Sequence, residues 1–308
     1  MEEKETKDLK DIPVYPYPFV YARENGEAEQ FRESRNADVE CRKYIDALVD
    51  AEWDGMRLPA HAAKDVLEKF GAERTVHVLA NTLQQKRLDG RFSQANKDWA
   101  QAVPMCVPEE GRESCLLRSH PAKLDGLVTR VRQEVDIAPI VAARAETLKA
   151  IPLYQNSMEY AMKHGETAQY AASHDASVAC KEAIETAIAR NYRDNCLNSS
   201  GAKQVAAQFG FERTFFVLAS TVRHLEWDGR ISTGNKEWAK TQPSFDTRNN
   251  LGRDMSTEYL VGNTGSPGLT NIFLDQVREE YALAQERSGI SGQEHTKEDS
   301  QRKTSIRI

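Results

Sequence analysis

Residues 71–100 read GAERTVHVLANTLQQKRLDGRFSQANKDWA, and residues 210–239 read GFERTFFVLASTVRHLEWDGRISTGNKEWA, aligned without a gap. The same three parts occur twice: an apolar stripe of helical period, an Asp-Gly-Arg turn, and a short segment ending in tryptophan. In the first, Ala72, Val76, Leu79, Ala80 and Leu83 step by four, three, one and three residues; Phe211, Phe215, Leu218, Ala219 and Val222 do the same. That spacing puts each set on one face of an amphipathic helix. Gly71 and Gly210 precede these helices, where a positive φ free of Cβ strain can end the helix before. Ser93 and Ser232 are placed to cap the next helix, which carries Trp99 and Trp238.

Working outward, the correspondence holds from Ile12-Pro13-Val14-Tyr15 and Ile151-Pro152-Leu153-Tyr154 to Pro104 and Pro243. Further helical stripes are Tyr15, Phe19 and Ala22 (second copy Tyr154, Met158 and Ala161) and Cys41, Ile45, Leu48 and Val49 (Cys180, Ile184, Ala187 and Ile188). Ala63, Val66, Leu67 and Phe70 form another, matched by Ala202, Val205, Ala206 and Phe209. Strand patterns are scarce. Beyond the prolines the copies differ in length through the polar connections 105–119 and 244–265, whose role is not legible. Register resumes at Pro121 and Pro267 with a last helix. Self-similarity on this scale marks a duplicated unit, here large enough to have its own core.

The expected fold class is all-α: two tandem homologous helical-bundle domains with short loops and disordered termini. Residues 1–11 read as a polar disordered arm, 12–135 as the first domain, 136–150 as a linker able to be helical, 151–282 as the second domain, and 283–308 as a disordered tail.

Composition narrows the function classes. The 308 residues carry a net charge of −6, which argues against a general attraction to nucleic acid or anionic lipid. No apolar run approaches the ~18–20 residues that span a bilayer, and the N-terminus lacks the apolar centre of a secretion signal. The five cysteines are odd in number and contain no Cys-x-x-Cys pair, so a reduced, cytoplasmic setting is expected. Cys41 and Cys180 align on apolar stripes, as small buried side chains do. No histidine is matched between the copies, and no zinc-protease or nucleophile-elbow motif occurs. No catalytic residue, metal site or cofactor is expected.

The repeated Asp-Gly-Arg-x-Ser-x-x-Asn-Lys-x-Trp motif is the most specific feature. Asp89, Arg91, Asn96, Lys97 and Trp99, with Asp228, Arg230, Asn235, Lys236 and Trp238, are candidate binding residues, since arginine and tryptophan dominate interface hot spots. The same residues also have plain structural uses: a turn, a cap, an ion pair and a core tryptophan.

At Ile12-Pro13-Val14-Tyr15, at 179–188 (ACKEAIETAI), 209–219 (FGFERTFFVLA) and 227–239, and in the closing proline-plus-helix blocks, the chain resembles the domain of unknown function 3849 family. The first copy departs from that pattern with Leu88 for Trp227 and His77 for Phe216. The resemblance implies a bacterial mobile-element context and no activity, cofactor or catalytic residue.

The leading expectation is therefore a non-enzymatic protein-interaction module in which two linked copies add avidity toward an unknown protein partner. One alternative is a nucleic-acid-associated factor using the helix–glycine–helix unit. Its outer face would present Arg74, Asn81, Gln84, Gln85 and Lys86, or Arg213, Arg223 and His224. The other is an enzyme with a site between the domains. No membrane association is expected.

Overall fold

A computed structural model describes residues 8–104, 112–246, 248, 251–253, 256–262 and 266–304, of which 112, 113, 256, 257 and 288–304 are described by their backbone alone. Among the described residues the chain consists of helices joined by loops, with one small hairpin. It divides into two compact units, residues 1–176 and 177–308. The division falls inside an unbroken helix, Thr167–Asn191, rather than at a linker.

In the first unit, helices α1 (Phe19–Glu24), α2 (Ala28–Glu52), α3 (His61–Gln85), α4 (Gln94–Ala102), α5 (Arg112–Cys115) and α6 (Pro121–Glu134) build the core. Ile45 and Val49 of α2, Val66, Phe70, Leu79 and Leu83 of α3, Trp99 of α4 and Leu127 and Val131 of α6 are buried together. Tyr15 lies ahead of α1 rather than on it. Pro13, Pro16 and Pro18 favour extended chain through this stretch, and the helix starts only at Phe19. Tyr15 is held there by its hydroxyl donating to Glu27 (2.5 Å) and by its N–H donating to Ser34 Oγ (2.9 Å).

Helix α3 is two helices meeting at Gly71, whose φ of 74° and ψ of 164° lie in a region open essentially to glycine alone. After the corner, Arg74 is buried. It donates to the carbonyls of Ser34 (2.8 Å), Ile12 (2.7 Å) and Pro13 (3.1 Å) and to the Asp38 carboxylate. One side chain thus ties the entering strand-like segment, α2 and α3 together. Leu9–Asp11 make a 3-10 turn whose Leu9 packs against the core and whose Lys10 carbonyl lies 3.5 Å from a Cβ built at Gly71. The remainder of the expected arm, residues 1–7, lies outside the described residues.

The stretch read as a linker forms α7 (Ala138–Ala150), with Arg144, Ala145 and Leu148 buried. Arg144 donates to the Pro104 carbonyl (3.2 Å), and Ile137 and Ile140 pack against the core. Helix α8 (Met158–His164) and α9 (Thr167–Asn191) follow, and Tyr154 repeats both bonds of Tyr15, to Glu166 (2.6 Å) and Ser173 (2.9 Å).

The second unit adds β1 (Tyr192–Arg193) and β2 (Cys196–Leu197), an antiparallel pair joined through Asp194 and Asn195 at φ of 50° and 61°. Two residues at positive φ are what a tight hairpin requires, and Asp and Asn tolerate it best after glycine. Then come α10 (Ser200–His224), α11 (Thr233–Thr241) and α12 (Pro267–Thr304). Helix α10 turns its corner at Gly210, with φ 77° and ψ 159°. Its Val217, Leu218 and Val222 are buried, as are Ala239 of α11 and Phe273, Leu274 and Val277 of α12, and α10 packs against both of those helices. The backbone of α12 stays helical into the segment whose composition reads as a tail; residues 305–308 lie outside the described residues.

Candidate functional site

The repeated motif forms the same local structure twice. Arg91 donates its backbone N–H and Nε to Asp89 Oδ1 (3.0 and 2.9 Å) and Nη2 to Oδ2 (2.6 Å). Arg230 does the same to Asp228 at 2.8, 3.0 and 2.7 Å. These bonds stabilise the ionised carboxylate, so Asp89 is held well below the usual carboxylate range and Asp228 is lowered to about 2. Lys97 and Lys236, both half-buried, add a smaller effect of the same sign.

Behind the turn, Ser93 and Ser232 cap α4 and α11 by accepting from the N–H of Asn96 (3.3 Å) and Asn235 (3.2 Å). Each asparagine is fully buried. Asn96 Nδ2 reaches Asp125 Oδ1 (2.7 Å), the Asp125 carbonyl (2.9 Å) and Thr129 Oγ1 (3.0 Å), while Arg132 donates to Asn96 Oδ1 (2.8 Å). In the second copy Asn235 Nδ2 reaches Asn271 Oδ1 (3.0 Å) and Asp275 Oδ1 (2.8 Å), and Arg278 donates to Asn235 Oδ1 (2.6 Å). The asparagines thus lock the short helix to the last one and offer nothing to a ligand.

The result is a braced tip. Phe92 and Ile231 are buried beneath it, and Asp89 and Asp228 N–H groups donate back to Lys86 (2.9 Å) and Leu225 (2.9 Å) carbonyls. On that support Leu88 is 92% exposed and Trp227 78% exposed, each one residue before the Asp-Gly-Arg turn, with Arg91 and Arg230 exposed alongside. An apolar residue standing before Asp-Gly at a position that needs none for packing was the available sequence signal.

The two motif tryptophans differ. Trp99 is buried in the first core at 8% exposure, as a structural tryptophan is. Trp238 is half-buried and borders a cavity of about 470 Å³ with Phe215, Gln242, Asp275, Arg278 and Tyr281. The Trp238 and Tyr281 rings stand at 72° and 74° to Phe215, with centroids 5.2 and 5.3 Å away, and the Arg278 guanidinium lies 5.6 Å from the Trp238 ring centre. Phe215 reads from sequence as one more residue on an apolar stripe. Only the packing of α10, α11 and α12 brings these rings together.

Most of the outer face proposed for a recognition helix is committed to the fold, Gln85 and His224 being exposed. Arg74, Asn81 and Arg213 are buried, Gln84 donates to the carbonyls of Ala100 (2.6 Å) and Val103 (2.9 Å), and Lys86 donates to that of Leu117 (2.8 Å). Arg223 is engaged with the carbonyls of Gln242 and Pro243. The arginines and lysine named for that face are therefore engaged within the fold, whereas major-groove docking uses free basic side chains.

Cys41, Cys115 and Cys180 are buried thiols, and Cys196 is exposed; Cys106 lies outside the described residues. Burial pushes the Cys180 thiol up to about 12 and raises Cys41 further, which suppresses the nucleophilic thiolate. Among the described residues no group of three or more His, Cys, Asp and Glu side chains is arranged to hold a metal ion. Among the same residues no helix is long and apolar enough to cross a membrane.

A family model described as protein of unknown function (DUF3849) matches the chain twice, over residues 14–136 and 153–282. No curated protein and no solved structure matches it.

Proposed function

Because the chain belongs to the DUF3849 family and carries its domain twice, we propose that it is a non-enzymatic interaction module that grips a protein partner through both copies. The observation that supports this most is the pair of equivalent tips. A large apolar side chain is held in water at the same place in each copy, on a turn stiffened by a bidentate Asp–Arg pair. A tryptophan beside an arginine is what interface hot spots are made of, and a backbone already braced has less ordering entropy to lose on binding. Asp89, Arg91, Asp228 and Arg230 shape the tips and Lys97 and Lys236 flank them. Asn96, Asn235 and Trp99 serve from within. Two linked tips raise the effective concentration of the second contact. The family resemblance supports a partner from the same bacterial mobile element, met in the cytoplasm.

The test is affinity capture from the native host with the wild-type chain and a Leu88→Ala/Trp227→Ala variant. Wild type retains a protein that the double variant loses, while melting is unchanged, since exposed substitutions stay within about 0.5 kcal/mol. Retention of the same protein by both chains, or recovery of nucleic acid in its place, would refute the reading.

A further inference from the structure

The cavity beside Trp238 has a counterpart in the first copy that is closed, and the difference between them carries a second assignment. Position by position, Phe215 replaces Val76, Tyr281 replaces Val135, Gln242 replaces Val103 and Asp275 replaces Thr129, while the tryptophan, the buried asparagine and the arginine are common to both. In the first copy Val76 and Val103 are buried, and Val135, Ile137 and Ile140 pack against the core that contains Trp99. There α6 stops at Glu134 and the chain turns into α7. In the second copy α12 continues through Tyr281 without a break, among the described residues nothing equivalent to Ile137 turns back, and Trp238, with Arg278 over its ring, borders a recess instead of a filled core. What the second copy has gained is two aromatic rings and a carboxylate, lining an open recess.

The Asp275 carboxylate takes part in the asparagine lock through Oδ1, which accepts from Asn235 at 2.8 Å and lies 4.0 Å from Arg278, but the lock does not require an acid at that position. In the first copy a threonine hydroxyl occupies that place at 3.0 Å, and the acid sits one helical turn earlier, at Asp125, bonding Ser93. The second copy has Asn271 at that earlier position and the acid at Asp275, on the cavity wall. Phe215, with Trp238 and Tyr281 each in edge contact with it, and the Asp275 carboxylate line the recess, and aromatic rings beside a carboxylate favour a desolvated cation over an anion or a neutral apolar group. The wall already holds one: Arg278 lies over Trp238. A planar guanidinium suits the recess better than an ammonium, because it stacks on aromatic faces and on a neighbouring guanidinium and is more weakly hydrated. The chain's net charge of −6 favours approach of a basic segment.

We propose that this recess takes the guanidinium of an arginine carried by a partner polypeptide. The assignment rests on the interaction reading only for the existence of that polypeptide; the recess itself is tested without it. The full chain is labelled with 5-fluorotryptophan, and the Trp238 resonance is identified by its loss in Trp238→Phe. It is then titrated with N-acetyl-Gly-Arg-Gly-amide and with the same peptide bearing citrulline, a neutral near-isostere. The arginine peptide gives a saturable shift confined to Trp238, and the citrulline peptide binds about tenfold more weakly or less.

A charge-conserving exchange, Asn271→Asp with Asp275→Thr, restores the first copy's arrangement. It keeps the fold, read by an unchanged melting temperature, and weakens the arginine peptide about tenfold. Phe215→Val with Tyr281→Val removes the response. Equal binding of citrulline, no response at Trp238, or a response indifferent to the exchange in a folded variant overturns the proposal. If the exchange variant does not fold, the two peptides on the wild-type chain decide alone. Tip variants leave these titrations unchanged, so loss of partner capture and loss of arginine binding are separate outcomes.

Discussion

Asp228 and Arg230 show how one pair of side chains serves structure and surface together. The carboxylate accepts three bonds from a residue two positions on, which closes the turn and aims Trp227 outward. Its ionised form is stabilised first by the Arg230 side chain and then by the Arg230 N–H, lowering it to about 2 against an ordinary 3.8. A carboxyl depressed in the folded state contributes stability that is present in full above its unfolded value and is lost as pH falls through the folded one. The turn is therefore expected to hold at pH 4 and to loosen between about pH 3.8 and 2. A carbon-detected NMR titration of Asp228 should give a midpoint near 2; a midpoint near 3.8 would show that the pair is not formed in solution.

The corner glycines act at the level of whole helices. Gly71 and Gly210 place two helical segments at an angle inside what would otherwise be one rod, and Thr75 and Thr214 each donate to the glycine carbonyl (2.7 Å) just beyond the corner. The bend lets Arg74 turn inward onto α2 in the first copy, and Arg213 donates to Ser177 Oγ (2.7 Å) in the second. A Cβ at these dihedrals strains the backbone whatever space surrounds it. Gly210→Ala should cost about 1–3 kcal/mol in a denaturant melt. A loss below about 0.5 kcal/mol, the range of an ordinary surface change, would mean the corner is not held in that conformation.

For the molecule as a whole, the matched family regions begin the second copy near residue 153, whereas the compact units divide at 176/177, within α9. The helix is continuous across that point, so a cut there breaks its hydrogen-bond ladder and leaves Cys180, Ile184 and Ile188 on a shortened helix. We propose the folding boundary at the end of α7. A fragment of residues 151–287 should melt cooperatively, and one of 177–308 should not. Calorimetry on the two fragments checks this, and a cooperative 177–308 would move the boundary to 176/177.

The helical period, the glycine corners, the serine caps and the duplication were legible in the amino-acid order, because each depends on residues within a turn or two of one another. Gly71 with Ser93, and Gly210 with Ser232, bracket their helices in any context. The two-residue hairpin at Asp194-Asn195 and the burial of Arg144 were not, since a pattern four residues long competes poorly with the helices around it. Which face of each motif meets solvent was not legible either. Trp99 and Trp238 stand in near-identical local sequence, yet one is core and the other borders a recess. Their difference comes from residues about forty positions downstream, where one copy turns at Val135 and the other continues through Tyr281. Local order sets the elements because backbone bonding is short-ranged; exposure is a property of what packs across them, and only tertiary structure supplies that.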